Sequence, residues 1–186
     1  MATTEAYRDR VAAMQEFLRK HDGWQEFREA VVSSMAHYPT DGMHDALAAL
    51  LAESPATDNP TSIGRALASA ATLRAAIILI DRLAQNEKAT KEAEKDLERQ
   101  KKQKPGKAPR GYAESVWIHN QTARNNARVA RIEKGLAAIQ TARITLLETL
   151  QALAANRSLK VPKRGNTSRS WRAWVRKHKD VLAEKP

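Results

Sequence analysis

Phosphate oxygens are held by rows of Lys and Arg, and this chain carries three such rows, all beyond residue 98. The first is Arg99, Lys101, Lys102, Lys104, Lys107 and Arg110. The second is Arg124, Arg128 and Arg131, spaced i, i+4, i+7. A helix puts all three on one face, about 5–6 Å apart turn by turn. The third is Arg157, Lys160, Lys163, Arg164, Arg169, Arg172, Arg176, Lys177 and Lys179, in a stretch that contains no acid. Mobile ammonium groups and fork-shaped guanidinium groups both suit phosphate. Asn120, Gln121, Asn125 and Asn126 interleave with the second row and can bond sugar or phosphate oxygens. The blander reading of the same residues is a solvated face that keeps the protein in solution.

Trp171 and Trp174, at i and i+3, can stack on bases while Arg172 and Arg176 take the neighbouring phosphates. Two Trp on one helix face more often anchor that helix on a core, and docking is the preferred reading here. Trp24 and Trp117 are assigned to the core on the same ground. His37, Asp41, His44 and Asp45 form the one cluster that resembles a metal or acid/base site. On a helix His44 and Asp45 point about 100° apart, and Asp41 before Gly42 reads as a turn or cap residue. No metal and no cofactor is therefore assigned. The chain has no cysteine, which excludes disulfides, thiolate metal sites and a Cys nucleophile. No phosphate-cradling Gly-rich loop, nucleophile elbow or His-Glu-x-x-His pair occurs, so no enzymatic activity is expected.

The elements that must position these residues are helical. Ala and straight-chain residues abound, aromatics make up only 5%, and no run of β-branched alternation reads as a strand. Glu5–Lys20 is predicted as an amphipathic helix on Tyr7, Val11, Met14 and Leu18. A second starts near Trp24 with Phe27, Val31, Val32 and Met35, and a short third turns Met43, Leu47, Leu50 and Leu51 inward. A fourth begins after a cap at Thr61 or Ser62 and carries Ile63, Leu67, Leu73, Ile77, Ile78, Ile80 and Leu83 before burial fades into a charged arm. Pro105, Gly106, Pro109 and Gly111 break that arm. Beyond them Ile118, Thr122, Asn125, Val129, Ile132, Leu136, Ile139, Arg143, Leu146, Leu150 and Leu153 alternate at spacings of 4 and 3, a heptad seam.

The predicted fold class is all-α: a helical bundle with a long antiparallel helical hairpin and a basic C-terminal helix. Residues 1–56 form an N-terminal helical subdomain. Residues 61–156 form the hairpin, with arms 62–102 and 112–156 and a basic tip near 99–111. Residues 157–186 form a basic segment and a last helix, capped at Ser168 or Ser170, with Trp171, Trp174, Val175, His178 and Leu182 on one face. The net charge of +11 is unevenly placed. Residues 1–90 hold 9 Lys+Arg against 12 Asp+Glu, and residues 91–186 hold 23 against 9. Such asymmetry predicts an acidic docking half and a half that faces a polyanion. Met1–Arg10 does not read as a signal peptide, and the most apolar window, 66–83, contains Arg74, Asp81 and Arg82. A cytoplasmic protein without a membrane partner is expected.

Ser62-Ile63-Gly64-Arg65-Ala66-Leu67-Ala68-Ser69, followed by an apolar helical run, resembles the Gly-Arg-x-Leu-Ala element of the CRISPR small subunit. That helical, basic protein lines the belly of Cascade-type RNA-guided surveillance complexes, where Arg65 would occupy the motif's arginine. The resemblance covers about a tenth of the chain and implies a multi-copy ribonucleoprotein subunit. The charged arm and the KPGKAPRG tip depart from that pattern.

The expected function is therefore a non-catalytic, nucleic-acid-binding structural subunit that contacts the phosphate backbone without sequence specificity. RNA or single-stranded DNA is favoured, with ribonucleoprotein subunits or copies of the chain itself as protein partners. Two alternatives share these residues. One is an oligomerisation or protein-interaction module whose seam at Leu136, Leu146 and Leu150 is the interface. The other is a plasmid or phage accessory protein that binds duplex DNA.

Overall fold

The computed structural model describes residues 13, 32, 41–56 and 60–183. Within them the chain is all-α: α1 Asp41–Glu53, α2 Thr61–Ala70, α3 Leu73–Lys102, α4 Glu114–Asn156, α5 Ser168–Lys177 and α6 Lys179–Ala183. The helices expected at 5–20 and from Trp24 lie outside the described residues, apart from Val32, which is buried in the same core as α1. In α1, Met43, Leu47, Leu50 and Leu51 turn inward as their spacing predicts. Among the described residues no helix is long and apolar enough to cross a membrane.

The expected fourth helix is two helices. Pro60, not Thr61 or Ser62, takes the cap position of α2, and its carbonyl accepts from the Gly64 N–H at 2.6 Å. Ala71 then turns left-handed at φ 46°, and the Thr72 hydroxyl accepts from the Ala75 N–H at 3.1 Å to start α3 afresh. A side-chain acceptor at the N-cap satisfies one of the donors that a new helix exposes. The end of α4 supplies the matching donors. Asn156 bonds the Ala68 carbonyl at 3.0 Å, and the Arg157 guanidinium bonds that of Ala71 at 2.7 Å. The first arm of the hairpin therefore starts at Leu73 rather than at residue 62.

From there α3 and α4 run antiparallel. The Asn86 amide donates to the Ile139 carbonyl at 3.0 Å, and the Asn125 amide donates to that of Gln100 at 3.0 Å. Both steps are fourteen residues, two heptads out along α3 and two heptads back along α4, so one register holds throughout. The α4 seam is buried at Ile139, Leu146, Leu150 and Leu153 and half-buried from Asn125 to Leu136, while Ile118 and Thr122 are exposed. Leu146 and Leu150 are fully buried inside this one chain, so that part of the seam is intramolecular core. A matching seam runs along α3 through Leu79, Leu83, Asn86, Thr90, Ala93, Leu97 and Gln100, again at spacings of 4 and 3. Burial continues beyond Ala84 on small and polar residues with a single leucine, Leu97, which the apolar pattern of the sequence does not reveal. At the base, the buried Arg82 reaches across to the Ser54 and Pro55 carbonyls at 2.8 and 2.6 Å and ties the α1–α2 connection to the hairpin.

α2 lies against α4 where a side chain is missing. A Cβ at Gly64 would stand 2.9 Å from the Thr149 hydroxyl and 3.2 Å from its methyl. That hydroxyl is itself held by the Thr145 carbonyl at 2.7 Å, and a β-branched side chain has little freedom to yield. Overpacking costs about 1–3 kcal/mol, against about 1 kcal/mol or less gained in helix propensity. Gly64→Ala is expected to lower the melting temperature by about 2–4 °C per kcal/mol lost, followed by circular dichroism. In a Thr149→Ala background the same change becomes neutral or stabilising. A loss of equal size in both backgrounds means that the close approach is not the reason for the glycine.

Candidate nucleic-acid interface

Arg124, Arg128 and Arg131 each precede a residue of the α4 seam, Asn125, Val129 and Ile132, and so lie along one flank of the hairpin. All three are exposed, and none forms an ion pair among the described residues. Continued at the same spacing, this flank passes Gly135, Ala138, Ala142 and Thr145 to Thr149, where Gly64 of α2 covers it. The arginines thus occupy the stretch of that flank that reaches out toward the tip. At a rise of about 1.5 Å per residue, α4 extends roughly 38 Å beyond the buried Asn86–Ile139 contact.

The tip row divides in two. Arg99 pairs with Asp96 at 3.4 Å, Lys102 with Glu98 at 3.6 Å, and Lys101 with Glu133 of the other arm at 2.9 Å. These pairs are exposed, contribute little to stability and halve the local charge. Lys104, Lys107 and Arg110 are exposed and have no ion pair among the described residues. The turn that carries them is folded onto Trp117. The Trp117 indole N–H donates to the Gly106 carbonyl at 3.0 Å, and the Tyr112 ring meets the indole edge-on with centroids 5.9 Å apart. Gly111 supplies the left-handed residue at φ 86°, and the Tyr112 N–H closes the turn on the Pro109 carbonyl at 3.2 Å. Trp117, expected in the core, is a half-buried tip residue instead. The reason is the wide charged gap between it and the nearest buried seam position, Ile139. Asn125 spends its amide inside the seam, whereas Asn120 and Asn126 remain exposed.

The third row is built on docking, as its tryptophans suggested. Trp171 is fully buried and Trp174 nearly so, edge to face with centroids 5.1 Å apart. Their indole N–H groups donate to the Gly165 and Lys160 carbonyls, both at 2.8 Å, which folds the preceding loop back onto the helix. Neither ring offers a face for a base. The cap of α5 is Thr167, whose hydroxyl accepts from the Ser170 N–H at 3.3 Å, rather than Ser168 or Ser170. Glu87 of α3 adds a second cap. One carboxylate oxygen accepts from the Ser168 N–H at 2.9 Å, the other from its hydroxyl at 2.7 Å. A carboxylate at a helix N-terminus also meets the favourable end of the helix dipole.

With the tryptophans inside, Arg169, Arg176 and Lys177 face out from α5, and Lys163 and Arg164 from the loop before it. Arg172 is exposed but paired with Asp81 of α3 at 3.1 Å. Arg157 is turned inward onto Ala71 and leaves the row. In α1, His44 is buried, with Nε2 3.0 Å from the Thr72 hydroxyl, while exposed Asp45 pairs with Arg74 of α3. The two residues point apart, as helical spacing predicts; His37 lies outside the described residues.

Sequence reasoning missed Glu87, Thr167 and Tyr112. Glu87 lies in a run of alternating charges, and Tyr112 stands where the pattern marks only the start of a helix. Removing the Glu87 carboxylate leaves the Ser168 N–H and hydroxyl short of their partner in a buried place. Glu87→Ala is expected to cost about 1–3 kcal/mol. It should also shift tryptophan emission to the red as α5 loosens over Trp171. An unchanged spectrum and melting curve means that Thr167 and the tryptophans hold α5 unaided.

No family model, curated protein or solved structure matches this chain.

Proposed function

We propose that this protein is a non-catalytic structural subunit that holds nucleic acid by its sugar–phosphate backbone, without reading sequence. The observation that carries the proposal is the flank of α4. Three arginines stand exposed at helical spacing on one rigid element, none of them in an ion pair among the described residues. Lys104, Lys107 and Arg110 extend the same charge around the tip, and Arg169, Arg176, Lys177, Lys163 and Arg164 add a second surface at the base. A fixed row of guanidinium groups meets successive phosphates and releases their counterions, which gives salt-dependent binding indifferent to base identity. The resemblance of Gly64–Ala68 to the small-subunit element motivates the assembly context, an RNA-guided ribonucleoprotein in which several copies line a strand. In this chain Gly64, Ala66, Leu67 and Ala68 are buried and Arg65 is exposed, so the element packs α2 on α4 and turns only its arginine outward.

The test is fluorescence anisotropy on single-stranded RNA, single-stranded DNA and duplex DNA across a salt series near physiological ionic strength. The wild-type chain should bind with a slope that reports several phosphates. The triple variant Arg124→Glu, Arg128→Glu, Arg131→Glu should bind more weakly on every sequence, with the slope of log K against log salt reduced by about 2–3. Unchanged affinity removes this flank as the site. Wild-type binding that disappears above low salt removes the whole proposal.

A further inference from the structure

The far end of the hairpin carries something that phosphate contact does not require. Tyr112 is 60% exposed, Val116 is 52% exposed and Ile118 is 43% exposed. Among the described residues, three of the seven exposed large hydrophobic residues therefore fall within seven positions of one tip. The Tyr112 ring is not loose. Its backbone N–H is bonded to Pro109, and one side of the ring pair is fixed by the edge contact with Trp117. Trp117 also holds Gly106, so the segment from 106 to 112 is strapped to α4 at both ends. Lys107 and Arg110 lie inside that strap, and both are exposed without an ion pair among the described residues. The tip thus presents a positioned aromatic ring flanked by unneutralised cations.

We propose that Tyr112 is a stacking platform for an unpaired base, with Lys107 and Arg110 on the adjoining phosphates, so that the ligand of this protein is single-stranded nucleic acid. The inference rests on the phosphate-contact reading of the arm and adds to it the strand type. Every base offers a π-face, so stacking keeps the binding sequence-independent while demanding that the base be out of a duplex. Trp171 and Trp174 cannot serve in this way because both are buried in the docking of α5. A lipid surface is the weaker match for the tip. One phenol ring and two aliphatic side chains give little apolar area to insert, whereas aromatic and cationic groups side by side match the alternation of base and phosphate.

The experiment compares the full-length chain with Tyr112→Ala, Tyr112→Phe and the triple arginine variant. The probes are a labelled oligothymidylate, an abasic strand with the same phosphates, a duplex of equal length and phosphatidylserine vesicles, all at physiological ionic strength. The wild type should prefer the base-bearing strand to the abasic one by about tenfold, in line with one stacked base. Tyr112→Ala should lose that preference with its salt slope unchanged, and Tyr112→Phe should keep it. The arginine variant should weaken both strands together and keep their ratio. Tyr112→Ala that retains the preference, while the arginine variant still loses affinity, overturns stacking and leaves the arm reading standing. Tyr112→Ala that abolishes vesicle binding but not strand preference makes the tip a membrane contact and overturns the proposal. A wild type that binds none of the nucleic acids overturns both.

Discussion

The register of the hairpin hangs on the Asn86 side chain. It is almost wholly buried, and its amide donates to the Ile139 carbonyl at 3.0 Å and lies 3.4 Å from that of Ala56. One side chain thus joins α3, α4 and the connection between α1 and α2. It does so where the apolar core ends and the arm begins. A buried amide in a heptad seam costs stability yet penalises every alternative register, because a slip leaves it without a partner. Moving α4 by one residue turns its faces by about 100°. Such a slip would carry Arg124, Arg128 and Arg131 off their flank and pull Thr149 away from Gly64. The charged surface and the packing of α2 therefore depend on the same bond.

Charge on the two arms is arranged by this register. Position for position, it sets Leu97 of α3 opposite Arg128 of α4, with the carboxylate of Asp96 beside it in sequence. That carboxylate is engaged instead by Arg99, one turn along its own helix, at 3.4 Å. On the other flank Lys101 and Glu133 do meet across the arms. One lysine and one glutamate thus pair between the helices, while Asp96 is satisfied within α3 and the α4 arginines stay open. Which cations are left without an ion pair is thus decided by these contacts, and counting residues along the sequence does not show it.

The helical class, the hairpin, the α4 seam and the docking of Trp171 and Trp174 were all legible in the sequence. Each rests on a strong periodic apolar signal, or on large aromatics that have few other uses. What was not legible rests on single polar atoms. The break at Ala71–Thr72 sits inside an unbroken apolar pattern and is made by one hydroxyl and two donors from the distant end of α4. The distal α3 seam is written in Thr90, Ala93, Leu97 and Gln100, in which one leucine alone makes no hydrophobic period. Of the candidate binding residues, the composition of the three rows was visible, but not the pairing that removes Arg157 and occupies Arg172. That pairing links residues 86 and 91 positions apart in the chain, beyond the reach of local pattern.

Preorganisation separates these rows from generic basicity. An exposed guanidinium gains only about 1 kcal/mol from a phosphate 4 Å away in water, so useful affinity needs several acting together. On a disordered tail each contact would also carry the entropy of ordering backbone. Arg124, Arg128 and Arg131 sit on one uninterrupted 43-residue helix whose base is buried under α2 and α3, so their backbone is already fixed. The tip has the same property by other means, since Trp117 holds Gly106 by a hydrogen bond and Tyr112 by its ring. In the C-terminal row, Thr167 and Glu87 fix the start of α5 and thereby the direction of Arg169 and Arg176. Each row is thus carried on backbone that the core or a strapped turn has already immobilised, and the ordering left to binding is that of the long side chains themselves.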